Sequence, residues 1–189
     1  MAKRVFAVLV LIIVLIITLN YKSVLKKFFP VQYNKEVEKY STKYNMDPHL
    51  VYSIILAESK FNPDAKSSKG AVGLMQITPQ TGRYIASLLK MDDYSDEKLC
   101  EPGINIKLGT FYLSKLFKDF NGDINCVLAA YNGGEGNVRK WIQENMGRSL
   151  VVEGIPFKET KNYISKVKRY YNIYNFLYET KDTAGDNQK

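Results

Sequence analysis

From Val5 to Leu19 the chain is an aliphatic run, VFAVLVLIIVLIITL, broken only by Thr18. Its apolar residues surround the helix instead of forming one stripe, the pattern of a helix in apolar solvent rather than one face of a core. The run lies at the short end of the ~17–25 residues that cross a bilayer. Lys3 and Arg4 precede it, and Lys22, Lys26 and Lys27 follow it. A secretory signal shares this layout, but NYKSVLKKFFP offers no small-residue cleavage site. The first cysteine is Cys100, so no lipid-attachment cysteine follows the run. Residues 1–29 are therefore expected to be an uncleaved signal anchor. Lys3, Arg4 and the amino terminus favour an inside N-terminus, against the pull of the lysines on the far flank. The working expectation puts the following domain outside the membrane.

After Pro30 the pattern turns helical, and residues 30–178 are expected to form one domain. Asp47-Pro48 marks a helix start, with Asp as cap and Pro at the first helical position, and that helix is predicted to run to about Lys60. Thr78-Pro79 starts a second, toward Lys90, and Pro102 a third, to about Phe120. Asp123 caps a fourth, which Asn132-Gly133-Gly134 ends. A fifth includes Val138, Trp141 and Ile142. The last runs from about Glu159 to Tyr178, with Tyr163, Val167, Tyr170, Tyr171 and Tyr174 at helical intervals. No stretch alternates convincingly at period two, so the class is all-α or strongly α-dominated, with a minor hairpin at most. Residues 179–189 read as a disordered tail.

Composition changes this picture in two ways. A net charge of +8 would point to nucleic acid if it were spread over the fold. No acid precedes Glu36, however, and from there on bases and acids nearly balance. The excess flanks the apolar run, where it fits a membrane surface, and no nucleic-acid partner is expected. The lysines of the last helix are expected to be solvated and its tyrosines packed inward. One histidine and two cysteines are too few for a His-rich metal centre or a four-ligand zinc site, and no metal or cofactor is expected. Cys100 and Cys126 could pair outside the cytoplasm or remain thiols. His49 is expected to be exposed and inert, and Trp141 to be core. Gly133-Gly134-Glu135-Gly136 has Arg139 where a dinucleotide-binding loop needs its last glycine, and no strand precedes it.

Candidate chemistry begins at Glu58. Val51, Ile54 and Ile55 lie seven, four and three residues before it, so the carboxyl ends the apolar stripe of its helix. Apolar surroundings raise a carboxyl pKa, and such a group can stay protonated near neutrality and act as a general acid. The segment from Ser67 to Ile77 places Gly70 and Gly73 among small residues before Gln76. Glycines let a ligand approach the backbone closely, and an amide can read hydroxyl and N-acetyl groups.

Four segments in order carry a resemblance: Glu58-Ser59; G-A-V-G-L-M-Q-I from Gly70 to Ile77; A-A-Y-N-G-G from Ala129 to Gly134; and I-P-F-K-E-T-K-N-Y-I from Ile155 to Ile164. Over about residues 35–178 the chain resembles the catalytic domain of the soluble-lytic-transglycosylase type. The resemblance implies a lysozyme-like fold and cleavage of bacterial peptidoglycan. It implies Glu58 as the catalytic acid and base, and Ser59 and Ser67 as positions that support the carboxylate or contact sugar. It likewise implies Met75 and Gln76 as groove-lining, Tyr131 and Asn132 as the aromatic and amide beside the scissile bond, and Glu159 as a second acid near the site that is not a nucleophile. Tyr163 matches a packing position. A goose-type-lysozyme-like muramidase, or a glycan-binding component of a wall-spanning machine without catalysis, are the alternatives. Two-carboxylate glycosidases flank the bond with an acid and a base or nucleophile, and here one acid alone has a persuasive setting.

Overall fold

The computed structural model of the protein describes residues 2–144 and 152–178; the expected tail, 179–189, lies outside them. Among the described residues eight α-helices form, and strand pairing is limited to the isolated bridges Lys66–Val72 and Val72–Ile77. They are α1 (Ala2–Phe28), α2 (Asn34–Tyr44), α3 (Pro48–Glu58), α4 (Pro79–Leu88), α5 (Pro102–Asp119), α6 (Ile124–Gly133), α7 (Glu135–Glu144) and α8 (Lys158–Tyr178). Short 3-10 turns cover Asp96–Cys100 and Val152–Gly154.

Three of the starts follow directly from side chains that satisfy otherwise orphaned helix N–H groups. Asp47 accepts from the His49 amide at 2.8 Å, Thr78 from Thr81 at 3.1 Å, and Asp123 from Asn125 at 2.9 Å. Gly134, at φ +89°, ends α6 as the paired glycines lead one to expect. α3 stops at Glu58, two residues before its expected end, and α4 stops two residues before Lys90.

α3 and α6 are the innermost helices. Leu50 to Ile55 of α3 and Cys126 to Ala130 of α6 are buried almost without a break, so α3 is enclosed well beyond a single stripe. α8 lies along α3 and also meets α6, while α2 and α4 pack on α5. Of the α8 tyrosines, Tyr163 and Tyr174 are buried and Tyr170, Tyr171 and Tyr178 half-buried. Lys168 and Arg169 are exposed as expected, whereas Lys166 is half-buried because it reaches the end of α3. Trp141 is core, edge-on to Phe157. His49 departs from expectation: it is half-buried, with Nδ1 2.7 Å from Oδ1 of Asn175, because α8 runs beside the start of α3. No disulfide joins Cys100 and Cys126.

α1 stands outside this core. Phe6 and Leu11 are two-thirds exposed, and Val5, Leu9, Ile13 and Leu15 are exposed too. Among the described residues no single helix is long and apolar enough to cross a membrane; Ala2–Leu15 and Asn20–Phe28 qualify only when taken together, as a pair bent by 68°.

Candidate active site

The site is built where the C-terminus of α3, the loop from Asn62 to Ile77, the end of α6 and the start of α8 converge. Glu58 is the last residue of α3, and its carboxyl is largely enclosed. Burial pushes its pKa up to about 7; the Tyr163 hydroxyl and the Lys166 ammonium act in the opposite sense, and the Glu159 carboxylate adds to the rise. The Tyr163 hydroxyl is buried and directed at Glu58 but closes no hydrogen bond of ordinary length and angle. Lys166, one turn further along α8, donates to the Ala57 carbonyl at 2.9 Å. It thereby satisfies a free carbonyl at the end of α3 and holds a cation near the carboxyl.

The loop is fixed from below by Asn105, wholly buried in α5. Its Oδ1 accepts from the Met75 amide at 2.7 Å, and its Nδ2 donates to the carbonyls of Val72 at 2.9 Å and Leu99 at 2.8 Å. Gly73 crosses this staple at φ +81°, where a Cβ would stand 2.2 Å from Asn105 Nδ2. Only glycine fits that place. The turn then delivers Gln76, itself in the left-handed region at φ 49°, with Nε2 donating to the carbonyls of Ala65 and Gly73, each at 3.0 Å.

Tyr131 comes in from α6, and its hydroxyl donates to the Met75 carbonyl at 2.9 Å. Burial and the nearby Glu58 charge raise the Tyr131 pKa far above the ordinary phenol range, so the hydroxyl keeps its proton. The next residue, Asn132, accepts from the Thr160 hydroxyl at 2.9 Å, tying α6 to α8. Beside these groups a cleft of about 410 Å³ is lined by Gln76, Tyr131, Asn132 and Glu159, with Lys69, Thr78, Tyr112 and Phe157 completing its walls. Glu159 is exposed and pairs with Lys69 at 3.2 Å across the rim, in water that screens the pair.

The expected site residues thus divide. Gln76, Tyr131, Asn132 and Glu159 line one cleft; Glu58 is not among its lining residues but is close enough to Tyr131 and Glu159 to interact electrostatically with both. Met75 contributes through its backbone: its side chain is wholly buried against Gly109, where a Cβ would lie 2.4 Å from the sulfur, so it lines no groove in this structure. Ser59 caps α3 with its hydroxyl donating to Ile55 at 3.2 Å, and Ser67 accepts from the Ala71 amide at 3.0 Å. Both hydroxyls shape the chain around the site. The sequence reading assigns no role to Asn105, and it expects Lys166 to be solvated with the other lysines of the last helix, whereas it is half-buried on the Ala57 carbonyl. The signals were there: an amide inside the apolar pattern of α5, and a lysine one turn after Tyr163 on the packed face of α8. A larger cavity of about 750 Å³ opens between α2, α5 and α8, but its one acid, Asp47, accepts from the Tyr171 hydroxyl at 2.5 Å and has no acid/base partner there. Among the described residues no group of His, Cys, Asp and Glu could hold a metal ion.

Comparison with known proteins identifies the family. Residues 35–150 match the family model for the transglycosylase SLT domain. The soluble lytic murein transglycosylase of Escherichia coli strain K12 is 35% identical over 163 residues, covering 84% of this chain and 25% of that protein. Membrane-bound lytic murein transglycosylase C of Haemophilus ducreyi is 31% identical over 175 residues, covering 78% of this chain and 46% of that protein. Among solved structures, the lytic transglycosylase Slt of Pseudomonas aeruginosa, an inactive glutamate-to-glutamine mutant, superposes with a TM-score of 0.72 at 34% identity, over 78% of this chain and 24% of that one. The chain thus spans about a quarter of its soluble relatives and under half of the membrane-bound one. With the match covering most of the helical domain and the fold shared with solved relatives, the chain belongs to the transglycosylase SLT domain family and has their all-α, lysozyme-like architecture.

Proposed function

We propose that this protein is a membrane-anchored peptidoglycan lytic transglycosylase with Glu58 as general acid and then base. The observation that carries the reading is an enclosed carboxyl with a pKa of about 7 beside a polar cleft. An acid poised near the working pH can both give and take back a proton. A relative made inactive by one glutamate-to-glutamine change supports the assignment.

In the proposed reaction the Glu58 carboxyl protonates the oxygen linking N-acetylmuramic acid to N-acetylglucosamine, and the C1–O bond breaks. The 2-acetamido group steadies the positive charge at C1, as in substrate-assisted glycosidases. The muramyl 6-hydroxyl oxygen then bonds to C1, and its proton returns to the Glu58 carboxylate. The product is a 1,6-anhydro-muramyl end, no water is consumed, and the enzyme is restored. Glu159, exposed and paired with Lys69, contacts the glycan in this scheme and performs no displacement. α1 serves as the anchor, its exposed aliphatic side chains facing lipid, with the catalytic domain on the wall side. A membrane-bound relative favours this placement.

Mass spectrometry of muropeptides released from purified sacculi tests the chemistry, with Glu58→Gln in parallel. Wild type is expected to release products one water lighter than reducing-end muropeptides, and the variant none. Reducing ends instead would place the protein with the muramidases. Full activity in Glu58→Gln would remove Glu58 from the mechanism.

A further inference from the structure

The link between α1 and the domain is clasped, not loose. The Tyr178 hydroxyl donates to the Phe29 carbonyl and the Tyr174 hydroxyl to the Pro30 carbonyl, both at 2.8 Å. The Phe29 ring stands edge-on to Tyr170 at 5.5 Å and to Tyr174 at 5.7 Å. Above this point the last turns of α8 continue along the base of α1. Lys26 lies over the Tyr178 ring at 4.8 Å and Lys22 over the Phe176 ring at 4.7 Å, with Tyr21 against Phe176 at 6.1 Å.

This arrangement fixes a height. Lys22 comes three residues after Leu19, the end of the aliphatic run, so it lies within roughly 5 Å of that end although Asn20–Phe28 turns 68° from Ala2–Leu15. Phe176, half exposed at 51%, therefore sits at the level where a membrane anchor would leave the hydrocarbon. Phe28, 68% exposed, follows six residues further along α1. There a depression of about 500 Å³ has Lys27 and Lys60 on its walls, together with Phe28 and Leu56. Aromatic rings and lysines at this level form the chemistry of a headgroup interface: amphipathic rings sit at the boundary and cations attract anionic lipid. The first acids along the chain, Glu36 and Glu38, belong to α2 and line no part of that depression.

We infer that the α1–α8 clasp seats the catalytic domain directly on a layer of anionic phospholipid headgroups, instead of leaving it on a tether. This rests on α1 being the membrane anchor proposed above. Lys60 lies two residues after Glu58, so the seat also holds the end of α3 near the bilayer and directs the site to membrane-proximal glycan.

The full chain in vesicles of phosphatidylglycerol and phosphatidylcholine supplies the test, with lipids brominated at shallow acyl positions as quenchers. The chain has one tryptophan, Trp141, buried in the domain, which serves as the internal reference. Phe176→Trp adds a reporter at an exposed position that folding does not depend on. Both proteins are expected to float with the vesicles, and the added emission to be lost with brominated lipid while wild-type emission is unchanged. The loss should be smaller in pure phosphatidylcholine. Flotation without loss of the added emission would leave the anchor standing and overturn the seat. No flotation would overturn the anchor and the seat together, and equal loss in both lipids would overturn the role of anionic headgroups.

Discussion

Glu58 illustrates how one residue's chemistry is set by neighbours far away in sequence. Burial drives its pKa upward, Glu159 adds to this, and Lys166 and Tyr163 hold the value near 7. If Glu58 must be protonated to act, kcat/KM should fall with rising pH through about 7, approaching a tenfold loss per unit. Lys166→Met removes a cation that favours the carboxylate, so its alkaline limb should move to higher pH. Glu159→Gln removes a like charge and should move the limb lower. Opposite displacements in pH-rate profiles would tie both neighbours to the same proton; displacement of neither would separate that limb from Glu58. The glutamate was legible in the sequence because three-, four- and seven-residue offsets set it on an apolar face. Its tuning was not, since Lys166 lies on another helix and a single chain pattern contains no cross-helix distances.

At the scale of elements, capping chemistry carried most of the reading. Helices that start on Asp47, Thr78 and Asp123 form where those side chains place them. α2 was not singled out, and the reason is visible in its surroundings. Its sequence NKEVEKYSTKY is polar, only Val37 and Ser41 are buried, and its N-cap, Tyr33, makes no side-chain cap. Packing on α5, rather than local pattern, stabilises it. The loop from Asn62 to Ile77 is a comparable case: its glycines announced a turn, but the buried amide that holds it comes from α5. Asn105→Ala would leave the Met75 amide and the Leu99 carbonyl without this partner, while the Val72 carbonyl keeps the Ile77 amide at 3.0 Å. At about 1–3 kcal/mol for each orphaned group, with some relaxation, thermal unfolding should fall by several degrees. The anchors of Gln76 and Tyr131 run through Gly73 and Met75, so glycan cleavage should fall more than stability explains. Unchanged kcat/KM in the folded variant would make the staple purely structural.

For the whole molecule, charge and hydropathy mark an expected division at residue 30, but no local pattern marks the joint across it. Tyrosines at helical intervals in α8 read as core; Tyr163 and Tyr174 are buried, and Tyr170, Tyr171 and Tyr178 are half-buried. Tyr174 and Tyr178, however, spend their hydroxyls on the carbonyls of Pro30 and Phe29, a pairing across nearly the full chain length that no local pattern contains. The helical domain therefore begins before its first surface helix, and where the chain is cut becomes a physical question. A soluble form starting at Phe28 keeps Phe29 between Tyr170 and Tyr174 and both carbonyl acceptors. A form starting at Tyr33 loses two edge-on aromatic contacts, worth about 0.5–1.5 kcal/mol each. It also exposes two tyrosine hydroxyls that water can satisfy, so the hydrogen bonds themselves should cost little. The shorter form should consequently unfold several degrees lower by calorimetry, with its deficit matched by Phe29→Ala in the longer one. Equal melting temperatures for the two soluble forms would mean that the α1–α8 clasp orients the domain without stabilising it.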